Sequence, residues 1–250
     1  MSMYIAIGNS VGSSSNAVSG SGGGGGFTNT YSLDFDGVDD YVDLDALSVN
    51  PGTGTNDVSL SCWIKTTETF AHTATRCAFG GKDITFGNNY ALGRLGSQAA
   101  SANDMKVRIF NTFGSTKLND GDWHNIVFTY DYTTKEIKAY VDGNTTPEIS
   151  ITNGLFRSKR IFIGTVNGSG GPFFQGNVDE CGLWYSVLTS DEVNEIYNSG
   201  TPGDLSTLSP IGWWRNGDGA TFPTIPDEGS GGNDGTMTNM VAGDIVAVVP

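Results

Sequence analysis

The feature that most narrows the fold is a two-residue rhythm of apolar side chains, restarted many times between glycine-containing breaks. Val58, Leu60, Cys62 and Ile64 alternate with polar residues, apart from Trp63 on the opposite face. Tyr31–Phe35 alternates in the same way and stops at Asp36-Gly37. Successive side chains of a strand point to opposite faces, so this pattern marks strands with one face in a core. Further strands are predicted at Met105–Phe110, Trp123–Tyr130, Ile137–Val141, Glu148–Ile151, Arg160–Ile163 and Val178–Trp184. Within AYVDGN, Asp142-Gly143 supplies the two positive φ angles of a type I′ turn. The expectation is an all-β antiparallel sandwich, with 36 glycines in 250 residues to serve its turns.

One helix is legible, near residues 190–198. In LTSDEVNEIYNSG, Thr189 is placed to cap the N-terminus and Glu192 to complete a capping box. Val193, Ile196 and Tyr197 then share a face, and Gly200 suits the C-terminal stop. Residues 1–26 form a Gly/Ser-rich arm whose apolar tip, Tyr4, Ile5 and Ile7, suits docking on a neighbouring subunit. Residues 27–200 hold the sandwich. The Gly/Pro/Asp-rich remainder, 201–250, is expected to add strands or a tail that completes the sandwich or contacts a neighbour.

The formal net charge of -14 argues against a nucleic-acid partner, because neutralising phosphates needs a basic face. Most of the surplus is aspartate in turn-like sequence. Turn chemistry and solubility account for it, or some of these oxygens hold calcium. Three cysteines, Cys62, Cys77 and Cys181, give neither a disulfide framework nor metal-ligand spacing, and free thiols are expected. MSMYIAIGNS has no basic n-region and a short apolar stretch, so neither a signal peptide nor membrane insertion is expected. Release by lysis inside a virus particle is one route outward without a signal.

Four segments in order resemble the laminin G-like jelly-roll modules of the concanavalin A-like lectin/glucanase superfamily. They are YSLDFDGVDDYVDL (31–44), VSLSCWIKT (58–66), DGDWHNIVFTYDYTTKEIKAYVDG (120–143) and FQGNVDECGLWYSVLTSDEVNEIYNSG (174–200). The resemblance implies a jelly-roll sandwich and a structural calcium held by Asp36, Asp40 and Asp179, with carbonyls around Gly37. An alternative is that Asp36 makes the turn and Asp179 caps a strand end. The MSMYIAIGN arm and the tail containing WWRNGDG look like those of proteins encoded by marine phages. The functional expectation is a noncatalytic, oligomeric decoration or tail-fibre-associated protein of a virion, in contact with other virion proteins and with cell-surface polysaccharide. A stand-alone carbohydrate-binding adhesin is the alternative.

Catalysis is not expected. Glycosidases of this fold carry Glu-x-Asp-x-Glu on one strand face, and none of the seven glutamates here has an acidic residue two positions on. Asp39, Asp40, Asp43 and Asp45 cluster in sequence, but beside glycine and at strand ends. Gly8–Gly12 matches G-x-S-x-G, yet the Ser/Gly-rich run behind it cannot make the helix that this motif needs. His72 and His124 are isolated and make no zinc site. Tyr90, Phe173, Phe174, Trp213 and Trp214 are candidates for an aromatic platform on which sugar rings stack. The alternative is that they belong to core or subunit interface.

Overall fold

The computed structural model describes residues 27–44, 56–69, 75–81, 92–97, 103–152 and 160–250. The arm tip residues Tyr4, Ile5 and Ile7, and the platform candidate Tyr90, lie outside them. In chain order the strands are β1 (Ser32–Asp36), β2 (Tyr41–Asp43), β3 (Val58–Lys65), β4 (Thr75–Gly81), β5 (Leu92–Gly96) and β6 (Lys106–Ile109). There follow β7 (Thr112–Phe113), β8 (Trp123–Asp131), β9 (Glu136–Val141), β10 (Ile149–Ile151), β11 (Phe162–Ile163) and β12 (Gln175–Trp184). After the helix α1 (Ser190–Tyr197) come β13 (Gly212–Trp214), β14 (Asn216–Gly219), β15 (Thr224–Ile225), β16 (Gly235–Thr238) and β17 (Ile245–Val246).

Two antiparallel sheets face each other. The front sheet runs β10-β9-β8-β3-β12-β1-β17, with β13 also paired to β12. The back sheet runs β15-β16-β2-β11-β4-β5-β6-β7. Between them lie Leu33 and Phe35, the alternating Leu60, Cys62 and Ile64, Phe79 from the back sheet, and Ile126, Phe128 and Val178. Each such fully buried side chain contributes about 1.5–3 kcal/mol. All three cysteines are buried free thiols. The expected jelly-roll sandwich with one short helix is the observed fold.

Trp63, which broke the alternation, is buried on the outer face of the front sheet against the helix. Val127, Tyr140, Trp184, Leu188, Val193, Ile196, Leu205 and Trp213 form an apolar cluster on the outer face of the front sheet, beneath α1. Tyr197 stacks on Trp63 there, ring centroids 5.5 Å apart and planes 15° apart. The helix begins as its sequence dictates, with the reciprocal capping box between Thr189 and Glu192 formed. Its end differs. Asn198, at φ 44°, takes the left-handed position expected of Gly200, because an asparagine tolerates that region and comes first.

The Asp142-Gly143 turn has the expected positive φ angles, 52° and 65°. The chain does not rejoin the sheet until Ile149, because the turn first docks on the helix. Asn194 donates its side-chain N–H to the Gly143 carbonyl at 3.1 Å. A Cβ on Gly143 would lie 2.6 Å from that of Tyr197. Gly143→Ala is therefore expected to cost about 2 kcal/mol through φ strain and displacement of Tyr197. Urea unfolding checks this, and a change below about 0.5 kcal/mol would mean that the turn and helix are not pinned together.

Strand β12 carries the main irregularity. Its register on β3 shifts between Asp179 and Gly182, where Glu180 sits at φ 44°. Before this bulge β12 pairs with β1, and beyond it with β13. Residues 212–246 thus contribute strands to both sheets, β13 and β17 to the front and β15 and β16 to the back. Among the described residues, no helix is long and apolar enough to cross a membrane.

Candidate functional site

The proposed aromatic platform is mostly buried. Trp214 is 0% exposed, meets Phe79 edge-on at 5.9 Å in the main core, and donates its indole N–H to the Asn233 carbonyl. Trp213 points the other way, into the outer cluster, stacked on Phe27 and donating to Glu180 Oε2 at 2.6 Å. Phe174 is also 0% exposed. Of the described candidates only Phe173 is partly open, beside Tyr41 at 6.4 Å. Adjacent strand residues face opposite ways, and at β13 both faces are covered, one by the back sheet and the other by the outer cluster. The sequence shows the tryptophan pair but not the double covering.

The open ground lies at the other end of the front sheet. Asp34, Asn177, Lys65 and Trp123 are direct cross-strand partners on β1, β12, β3 and β8. Their neighbours Leu33, Phe35, Val178 and Ile64 point into the core, so the row faces outward by the strand's alternation. Asp34 is exposed and the other three are half-buried. A cleft of about 210 Å³ opens beside the row, lined by Lys65, Thr66, Thr67, Gly121, Gly176 and Asn177. Gly176 lets β12 approach the end of β3 closely at the cleft's edge. Its φ is 129°, and an added Cβ would lie 2.3 Å from the Lys65 carbonyl oxygen. The cleft therefore offers an ammonium, an amide and the Thr67 hydroxyl, next to the Trp123 indole in the row; the Thr66 hydroxyl is taken by the Gln175 carbonyl and the Glu68 N–H. None of these four row residues was singled out from the sequence, because which strand residues line up depends on register.

An acidic loop adjoins this end. Asp36, Asp39 and Asp40 place one ligand atom each within 4.8 Å of one another. Asp40 Oδ2 accepts the Asp36 backbone N–H at 3.0 Å, and Asp36 Oδ1 accepts that of Val38 at 2.7 Å. Burial, and the negative charges of Asp36, Asp244 and Asp39, push Asp40 up to about 6 despite that backbone bond. The set is all oxygen and short of positive charge, so it fits a hard cation such as calcium.

Asp179 does not join it. Asp36 pairs with Gln175, four residues along β12, or about 13 Å away at strand rise. Asp179 instead accepts from the Asn29 side chain at 2.7 Å and the Glu180 N–H at 2.8 Å. Burial and the adjacent Glu180 charge hold its carboxyl well above the usual range. Burial also raises Glu180 to about 7, against the opposing pull of Arg215 and Trp213. These two acids tie the approach to β1 to residues 213–218. Asp39 takes the place expected of Asp179, and the FDGVDD spacing was the available signal.

His124 braces the wall of the cleft. Its Nδ1 lies 2.8 Å from Asp142 Oδ2 and its Nε2 3.1 Å from Asp120 Oδ1, next to Gly121. Burial lowers its pKa, but hydrogen bonds and charge from Asp142 and then Asp120 outweigh this and leave it raised above 6.5. A raised folded pKa means that the imidazolium's stabilisation is complete below pH 6.5 and lost as pH climbs through the folded value. The expected outcome is that the melting-temperature advantage of the parent over His124→Gln is largest near pH 6 and shrinks by about pH 8.5. Thermal melts across that range check it; a constant gap would show that His124 does not titrate in this bridge.

Residues 36–194 match the profile of the concanavalin A-like lectin/glucanases superfamily. The chain belongs to that superfamily. The matched stretch contains the acidic loop, the cleft and the start of α1, and leaves β13–β17 outside. This superfamily member superposes on a Bacteroides ovatus protein whose carbohydrate binding is provisionally assigned, with TM-score 0.63 and 16% identity. That superposition covers 89% of this chain and 61% of the other, so the chain spans about three fifths of its length. A heptameric SAP-like pentraxin from Limulus polyphemus superposes with TM-score 0.50 and 13% identity, over 68% of this chain and 82% of the pentraxin. At these identities the likeness is one of fold. A search of curated proteins gives no match.

Proposed function

We propose that the protein is a noncatalytic glycan-binding module that uses the open end of its front sheet. The observation that carries this reading is the outward row Asn177–Lys65–Trp123 beside a polar cleft. A half-buried indole offers a face to a sugar ring, and the Asn177 amide and Thr67 hydroxyl beside it suit ring hydroxyls. The described cleft lining includes no carboxylate, which supports binding over hydrolysis, since glycoside cleavage uses an acid and a second carboxylate. Carried on a virion by its arm, such a module would hold a particle against surface polysaccharide. That part of the reading rests on the sequence of residues 1–26.

The same proposal gives calcium a structural place at Asp36, Asp39 and Asp40, where it would neutralise three crowded carboxylates. Millimolar calcium is expected to raise stability by about 1–3 kcal/mol over EDTA. Asp40→Asn should abolish that increment while costing little in EDTA, because Asp40 is already strained toward its neutral form. Thermal melts with and without calcium check this; an equal increment in both proteins would move the cation elsewhere.

The glycan site is tested by screening polysaccharides and oligosaccharides against the parent, Trp123→Ala and Asn177→Ala. Loss of about 1–3 kcal/mol of binding is expected for Trp123→Ala and about 1 kcal/mol for Asn177→Ala, with the fold intact. Retention of full affinity by both would remove the open end as the site, and no binding to any glycan would end the reading.

A further inference from the structure

We infer that the cleft selects carboxylated sugars, such as uronic or sialic acids, through Lys65; this rests on the glycan-binding reading above. The argument begins with how this acidic chain disposes of its cations. Arg76 pairs with Glu68, Lys117 with Asp104, Lys138 with Glu136, Arg160 with Asp43 and Arg215 with Glu180. Lys135 lies over the Tyr132 ring, Arg108 bonds the Phe110 carbonyl, and Arg94 bonds Thr75. Among the described residues, Lys65 and Lys106 alone have no such partner, and of the two it is Lys65 that lines the cleft. In a chain of formal charge -14, a half-buried lysine left without an acid is an unmet cation in a site.

Its surroundings suit one kind of anion. Trp123 sits directly across from Lys65 on the next strand, about 5 Å away laterally. That is close to the width of a pyranose ring, so a ring resting against Trp123 carries an exocyclic carboxylate over Lys65. Asn177, across on the other side, and Thr67 remain for the hydroxyls. The nearest acid in the row, Asp34, stands two strands from Lys65, roughly 10 Å, which is beyond the ~8 Å screening length at physiological salt. Its repulsion of a bound carboxylate is weak there, whereas the Lys65 contact is direct. A charge-assisted contact at such a site is worth roughly a tenfold preference for the acidic over the neutral sugar.

The test measures the intact protein by calorimetry in saturating calcium against matched pairs. These are oligogalacturonate and its carboxyl-reduced galactan, a glucuronate-containing oligosaccharide and its reduced form, and sialyllactose and lactose. The expected result is a preference of about tenfold for the acidic member of at least one pair, falling to within about twofold in Lys65→Gln and kept in Lys65→Arg. Trp123→Ala should weaken both members of that pair alike. Neutral members binding as well as acidic ones, or a preference unchanged in Lys65→Gln, overturns the inference while leaving glycan binding standing. Failure of every pair to bind overturns it together with the reading on which it rests. Circular dichroism of Lys65→Gln separates lost contact from lost fold.

Discussion

The structure turns on the bulge in β12. A strand can pair with one neighbour on each side, yet β12 is paired with β3, β1 and β13. It manages this by changing partners at Asp179–Gly182, where the extra residue and the left-handed Glu180 bend it away from β1. The bend aims Glu180 at the Trp213 indole and the Arg215 guanidinium, so that the strand arriving from the C-terminal segment is fixed by a buried, hydrogen-bonded charge. Arg215 also bonds the Thr28 carbonyl, and Asp218 accepts the Thr30 N–H, so the entry into β1 is held by the same group. Removing one partner would leave the others buried without compensation, a cost that pairing now avoids.

This arrangement also decides where a ligand finds room. A β-sandwich has two outer faces, and the front one is shared between a helix and solvent. The helix covers the half where Val127, Trp184 and Trp213 are apolar, while the half carrying Asp34, Asn177, Lys65 and Trp123 stays open. The open half ends at the acidic loop, so a polar cleft and a candidate cation site share one end of the molecule. His124 belongs to the same end and, lying between the carboxylates of Asp120 and Asp142, ties the loop that carries Gly121 to the turn after β9.

Three of the more buried titrating groups act in one direction. Asp40, Glu180 and His124 all have raised pKa values, the acids chiefly by burial and the histidine by its carboxylate partners. Each binds its proton more tightly folded than unfolded, so each makes the fold less stable as pH rises through its own range. A cation at the acidic loop would offset this for Asp40.

The sequence by itself determined eight of the strands, β1, β3, β6 and β8–β12, the helix with its capping box, and the positive-φ turn at Asp142-Gly143, because periodicity, capping and turn chemistry are local. It also brought out Asp36 and Asp40, neighbours on one loop. Tertiary structure decided the rest. It sent Trp213 and Trp214 into two different cores and placed Asp179 in a buried network instead of the acidic loop. It also aligned Lys65, Asn177 and Trp123, which lie far apart in the chain. The reason is register: a strand's own pattern says which residues share a face, but only its pairing says what stands beside them and what covers them.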